Sequence, residues 1–203
     1  MKKIVLGLAT SAIVTTLAMP ASAQLYVGAG LGSSSNQNAN GTIVTGGGPV
    51  IFSMDTSKTS WKLLAGIQVA PNFGFEVQYT DLGKRDITLQ QGALGAQGSV
   101  SAEQYSFAGT GMFMFSPGWF VHGKLGTSTN YLNGGRWCVS ATACVSSGKE
   151  NNTSLLWGVG LGHQFTKNWS VKGGYENFGK LMNDLNGNSV TASNVGVNVI
   201  YSF

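Results

Sequence analysis

From Gln24 onward, the chain holds eight segments of about ten residues in which apolar side chains fall on every second position. In an extended strand, successive side chains point to opposite faces, so this period describes strands with one apolar face and one small or polar face. The last segment is the clearest. Val195, Val197, Val199, Tyr201 and Phe203 lie on one face, and Asn194, Gly196, Asn198, Ile200 and Ser202 on the other. The first repeats the pattern, with Leu25, Val27, Ala29 and Leu31 set against Tyr26, Gly28, Gly30 and Gly32. Six more run roughly Ser60–Ala70, Phe73–Leu82, Gln104–Phe115, Trp119–Thr129, Ser154–Phe165 and Trp169–Asn177. No apolar run after Ala23 approaches the roughly 18 residues of a membrane-spanning helix.

A soluble β-sandwich would share the period but needs charge on its outer face. Charged residues make up only 10% of this chain, against about 25% in soluble domains. We therefore expect an all-β fold, an eight-stranded antiparallel up-and-down transmembrane β-barrel. Hydrocarbon leaves an open sheet edge without partners, and bacterial single-chain barrels have an even strand number.

Residues 1–23 read as a cleaved signal peptide. Lys2 and Lys3 precede the short apolar run Ile4 to Leu17, and Ala21-Ser22-Ala23 forms an A-x-A cleavage site. The barrel domain is then 24–203. Removing the leader takes two of the twelve Lys and Arg residues and leaves eight acids, so little net charge remains. No basic run suggests nucleic acid.

The connections alternate in length. Short ones fall at Pro71-Asn72, Ser116-Pro117-Gly118 and Thr166-Lys167-Asn168, and long ones at about Ser33–Thr59, Gly83–Glu103, Asn130–Thr153 and Phe178–Ser193. Short periplasmic turns and long external loops are the rule in such barrels, which puts both termini in the periplasm. The long connections are rich in Gly, Ser, Asn and Thr and read as four exposed, mobile loops. Aromatic residues gather at strand ends and suggest two interfacial girdles. Phe73, Phe115, Trp119, Phe165, Trp169, Tyr201 and Phe203 lie near the short turns; Trp61, Tyr79, Tyr105, Tyr131, Trp157 and Tyr175 lie near the long loops.

The stretch Gly66-Ile-Gln-Val-Ala-Pro-Asn-Phe-Gly-Phe-Glu-Val-Gln-Tyr-Thr-Asp-Leu-Gly83 resembles the second strand, turn and third strand of the OmpA-like barrels of Gram-negative outer membranes. Lys124-Leu125-Gly126 is similar to that family's Arg-Leu-Gly in strand five. Tyr201-Ser202-Phe203 is similar to its terminal aromatic ending, which implies recognition by the outer-membrane assembly machinery. The resemblance implies a multi-pass barrel in the outer membrane, in contact with its lipid and lipopolysaccharide. Many members carry a periplasmic peptidoglycan-binding domain after strand eight; with the sequence ending at Phe203, none is expected here.

With the small and polar faces turned inward, Lys62, Glu76, His122, Lys124, Lys172 and Glu176 all enter the lumen. Glu76, His122 and Lys172 each lie four residues beyond a short turn and should share a depth. Glu76 and Lys172 match an interior acid and an interior arginine of the family, so a Glu76–Lys172 pair is expected, with Lys124 and His122 nearby. Gly162 and Gly174 stand where the family has further acids, and Thr110 where it has a lysine. The pair serves either to neutralise inward charge or as a gate for small solutes. An eight-stranded barrel encloses little beyond its own side chains, which argues against a wide pore.

The glycines of Gly28 to Gly32 and Gly158 to Gly162 do not follow G-x-G-x-x-G, and no helix succeeds them, so nucleotide binding is not indicated. Cys138 and Cys144, the only cysteines, share one long connection and are expected to form a disulfide in an oxidising compartment. Two cysteines are too few ligands for a metal, and no cofactor is expected. His122 and His163 fit no Ser-His-acid spacing. The reading is a monomeric structural barrel that displays four surface loops for adhesion or other contact. A narrow gated pore is the alternative, and a lipid-modifying enzyme the third.

Overall fold

The computed structural model describes residues 23–37, 40–45, 48–91, 94–138, 144–146, 150–183 and 189–203. Residues 1–22, most of the expected leader, lie outside them. Eleven strands succeed one another: β1 (Gln24–Gln37), β2 (Asn40–Thr45), β3 (Gly48–Met54), β4 (Ser57–Ala70), β5 (Phe73–Gln91), β6 (Leu94–Ser116), β7 (Trp119–Cys138), β8 (Cys144–Ser146), β9 (Glu150–Gln164), β10 (Trp169–Asn183) and β11 (Ser189–Ser202). Eight of them, β1, β4, β5, β6, β7, β9, β10 and β11, pair antiparallel with their neighbours in that order. The ring closes where β11 returns to β1, from Tyr26 opposite Ser202 to Gln37 opposite Thr191. This is the expected eight-stranded up-and-down barrel.

Within the wall the two faces differ sharply. Leu125 on β7 is 62% exposed, whereas Lys124 beside it is 9% exposed. Leu63, Val77, Phe107, Val159, Leu161, Val195, Val197 and Val199 share the outer face. A continuous apolar surface of this kind is stable against lipid but not against water. At one end the turns are tight: the carbonyl of Asn72 accepts the Met112 amide at 2.9 Å, and Gly118 takes a left-handed φ of 76°. There Trp119, His163 and Phe165 form a run of ring contacts, as do Trp169, Tyr201 and Phe203. At the other end Trp61, Tyr79, Tyr105 and Tyr131 make successive ring contacts across four strands at 5.1 to 5.6 Å, and Trp157 meets Tyr175 at 5.4 Å.

The long connections differ from the expected mobile loops. Crossing a bilayer takes about 9–11 residues, yet β6 has 23 and β7 has 20. The extra length continues the ladder past the aromatic belt, with Lys84 to Gln91 paired to Ser101 to Leu94. The first long connection holds the β2–β3 hairpin, which adds to β5 through Val50–Met54, and β8 pairs with the end of β7. Backbone polar groups that find ladder partners need no disorder, whatever the polar composition of the segment.

The inward face also changes character past the belt. The expected small and polar lining holds only in part of the wall, since Tyr26, Leu64, Phe120 and Ile200 are buried inside it toward the short turns, and beyond the belt Leu82, Ile87, Val100, Ala102, Leu132, Leu156, Phe178, Leu181, Val190 and Ala192 form one buried apolar cluster. Two matching bulges start the change. In Asp81-Leu82-Gly83 and Asn177-Phe178-Gly179, the first side chain's Oδ1 accepts the glycine amide at 2.8 Å. The glycines take φ of 83° and 69°. The middle residue, Leu82 or Phe178, keeps the inward parity of Thr80 or Glu176, and β5 leaves its bulge with Arg85 and Ile87 inside and Lys84, Asp86 and Thr88 outside.

Close wall packing makes a test. A Cβ on inward-facing Gly126 would run into the backbone of Phe107 and Ala108, whereas one on outward-facing Gly123 would meet only the Gly158 carbonyl, at 3.7 Å. Gly126→Ala should destabilise the barrel by about 1–3 kcal/mol and Gly123→Ala by less than about 0.5 kcal/mol, read from urea unfolding in detergent.

Candidate functional site

The interior site is built by alternating large and absent side chains across the ladder. Lys124 pairs with Gly158, which pairs with Glu176. Tyr26, Gly66 and Glu76 form a second such row, and Phe120, Gly162 and Lys172 a third. A Cβ on Gly158 would stand 3.0 Å from Cγ of Glu176 and 3.2 Å from Cγ of Lys124. On Gly66 or Gly162 it would strike the ring of Tyr26 or Phe120. The glycines are spacers that let side chains two strands apart meet in the lumen.

Lys124 is the hub. Its ammonium donates to Glu76 Oε1 at 2.6 Å, Glu176 Oε1 at 2.9 Å and Gln78 Oε1 at 2.9 Å. Three N–H groups thus meet three acceptors. Glu176 Oε2 accepts from Lys62 Nζ at 2.6 Å and from Gln78 Nε2 at 3.1 Å. Glu76 Oε2 accepts the Tyr26 hydroxyl at 3.1 Å, and Gln78 Nε2 also reaches Thr80 Oγ1 at 3.0 Å. Lys62, Glu76, Gln78, Lys124 and Glu176 are all buried. Buried charges are tolerated when each is paired and hydrogen-bonded, and every carboxylate oxygen here has a donor.

The expected Glu76–Lys172 pair is replaced by Glu76–Lys124. The Lys172 ammonium instead lies over the Tyr26 ring, 4.8 Å from its centroid. Equal counting from the short turns ignored the stagger of the ladder. Lys124 lies on one pairing row with Glu176, while Lys172 shares its row with Asn198, Gly30 and Lys62. His122, Lys172 and Lys124 line one cavity of about 40 Å3 that also touches Tyr26, Glu76 and Asn198. His163 lies on the outer side between Trp119 and Phe165.

Sequence reasoning missed Tyr26, Gln78 and Arg85. Gln78 and Thr80 share parity with Glu76, which is the signal that could have found them. Arg85 is fully buried past the aromatic belt, donating to Ser34 Oγ at 2.7 Å and to the Asp55 carbonyl at 3.1 Å. The Lys58 ammonium, hydrogen-bonded to Asp55, holds that carboxyl below the ordinary carboxylate range. The backbones of Cys138 and Cys144 pair across β7 and β8; their side chains lie outside the described residues. Among the described residues, no group of three or more His, Cys, Asp or Glu is placed to hold a metal.

The comparisons with known proteins agree with this closed antiparallel barrel. A family model described as an outer membrane protein beta-barrel domain matches residues 5–203. The chain belongs to that family. Its barrel is accordingly an outer-membrane barrel.

Among solved structures, the outer membrane protein OprG from Pseudomonas aeruginosa matches with a TM-score of 0.60 at 12% identity, covering 89% of this chain and 95% of that one. Ail, the attachment invasion locus protein of Yersinia pestis, in complex with the heparin analogue sucrose octasulfate, matches with a TM-score of 0.54 at 15% identity, covering 89% and 99%. Neisserial surface protein A matches with a TM-score of 0.51 at 14% identity, covering 88% and 97%. At these identities the likeness concerns the fold alone. No curated protein sequence matches the chain significantly.

In an outer-membrane barrel the wall isolates the charge cluster from lipid, so removing the hub cation takes from Glu76 its ion-pair partner, while Glu176 keeps Lys62. Lys124→Met should destabilise the fold by about 3–5 kcal/mol, and adding Glu76→Gln, which leaves the Lys62–Glu176 pair intact, should restore much of the loss. Urea titration of the refolded protein, followed by the heat-dependent gel shift of folded barrels, measures both. A double variant no more stable than the single would show that the Glu76 carboxylate is not the cause.

Proposed function

We propose that this protein is a membrane-fixed scaffold whose long strands present a rigid β-structured surface for contact outside the cell. The carrying observation is the apolar cluster of Leu82, Phe178, Leu181 and their neighbours. It fills the interior where the strands pass the aromatic belt, so it favours a closed lumen and a fixed shape at the long-connection end. Short turns face the periplasm on this reading, and both termini lie there. The protein acts as a monomer in contact with lipid and lipopolysaccharide, and its last strand is recognised by the assembly machinery. A disulfide between Cys138 and Cys144 staples the tip beyond β7, supported by the pairing of their backbones. Intact mass of protein taken from outer membranes should be two hydrogens short of the dithiol; two free thiols would remove the staple.

Ail carries a heparin analogue in one of its structures, and sulfated glycans are therefore the first contact to try. Exposed Lys84 lies past the aromatic belt of this barrel and offers a sulfate group a cation. Neither histidine is hydrogen-bonded to a nucleophile or a carboxylate among the described residues, so a catalytic role is not part of the proposal. Vesicles carrying the whole protein should bind immobilised heparin, and vesicles carrying a folded Lys84→Glu variant should bind less. Equal binding by both would overturn the role of this surface.

The second reading, a narrow gate, is favoured by one observation. The cavity of about 40 Å3 reaches the ion cluster from the short-turn residues Gln68, Asn72 and Met112. Planar bilayers separate the two readings. The scaffold should be electrically silent. Steady channels that Glu76→Ala alters would favour the gate and overturn the closed lumen.

A further inference from the structure

Three lysines and two glutamates meet in the wall interior: Lys62, Lys124, Lys172, Glu76 and Glu176. Both carboxylates are used by Lys124 and Lys62, so the odd charge falls on Lys172. The Tyr26 face offers its ammonium a cation–π contact but no hydrogen-bond acceptor. The Tyr26 hydroxyl is engaged by Glu76.

Lys172 borders the cavity of about 40 Å3, together with Tyr26, Thr110, His122 and Asn198; Glu76, Glu176 and Lys124 border it too, with their charges already paired among themselves. On the measure in which one water takes roughly 10–15 Å3, the space holds about three or four water-sized bodies. The buried Nε2 of His122 has no hydrogen-bond partner, and neither has Oδ1 of Asn198. The cavity also touches Gln68, Asn72 and Met112 at the short-turn end, which gives a small solute a way in. A cation removed from bulk water and left without a counterion is costly, and an anion of water size would offset it.

We propose that this cavity binds a small monovalent inorganic anion, chloride-sized, against Lys172 and His122. The site is a counterion seat and does not depend on whether the barrel conducts or which surface partner it meets. Lys172 supplies the charge. His122 Nε2, in the tautomer that carries its proton there, supplies a donor, and the Tyr26 ring blocks one side. Gluconate is too large for the space and serves as the non-binding control.

The test uses refolded, detergent-solubilised protein and chloride as the probe. Added protein should broaden the chloride-35 NMR line, and the urea midpoint should rise when chloride replaces gluconate at fixed ionic strength. Lys172→Met should remove both effects. Thr110→Ile, which fills the cavity without changing its charge, should also bring the line width down to that of buffer, and it decides the matter if Lys172→Met fails to fold. Equal broadening by wild type and either folded variant would overturn the proposal. So would a wild-type midpoint indifferent to chloride, the result expected if only water fills the space or Lys172 is a neutral amine.

Discussion

The structure depends on one condition: every backbone amide and carbonyl within the hydrocarbon must find its partner inside the chain. The pairing of β1 with β11 meets it, because it converts an open sheet with two bare edges into a ring with none. Closure fixes an inside and an outside, and each wall residue must then satisfy one of two opposite solvents. Leu125 and Lys124, adjacent in sequence, end in lipid and in an ion cluster for that reason alone. The same closure makes the interior narrow, so charge placed there must be neutralised by neighbours across the lumen, since little water is available to do it.

Glycine is what allows that neutralisation. In the rows Lys124–Gly158–Glu176 and Tyr26–Gly66–Glu76, the middle residue gives up its side chain so that the flanking two can touch. A barrel with ordinary side chains at these positions would hold its charges apart, and each would stay buried without a partner. The glycines that most resemble a nucleotide loop in the sequence, Gly158 to Gly162, therefore serve electrostatics and packing.

The wall was legible because lipid imposes a strict period of two, and the short turns were legible because Pro71-Asn72 and Pro117-Gly118 punctuate it. Which residues face inward followed from parity: Lys62, Glu76, Lys124 and Glu176 do enter the lumen. Which residues touch did not follow. Partner choice depends on the stagger between strands, and that stagger is a property of the closed ring rather than of any one segment. Hence Glu76 meets Lys124 and not Lys172. The strand extensions were hidden for a different reason. Past the belt, water replaces lipid outside and a mostly apolar core beside Arg85 replaces the ion cluster inside, so the alternation reverses its sense and reads as polar loop.

The reversal has a local cause that can be read in sequence once its logic is known. Asp81-Leu82-Gly83 and Asn177-Phe178-Gly179 use the same device on β5 and β10: an oxygen that caps the glycine amide, a glycine free to take positive φ, and an inward apolar residue between them. A bulge lets two residues oppose one, so on β5 the residues from Lys84 onward exchange parity and the strand can serve two solvents in succession without a break in its ladder. On β10 a second irregularity comes almost at once and brings Leu181 into the same core as Phe178. These two motifs sit just past the aromatic belt, where the outer environment changes from lipid to water. They let the strands continue beyond the membrane as one folded body instead of ending there as loops.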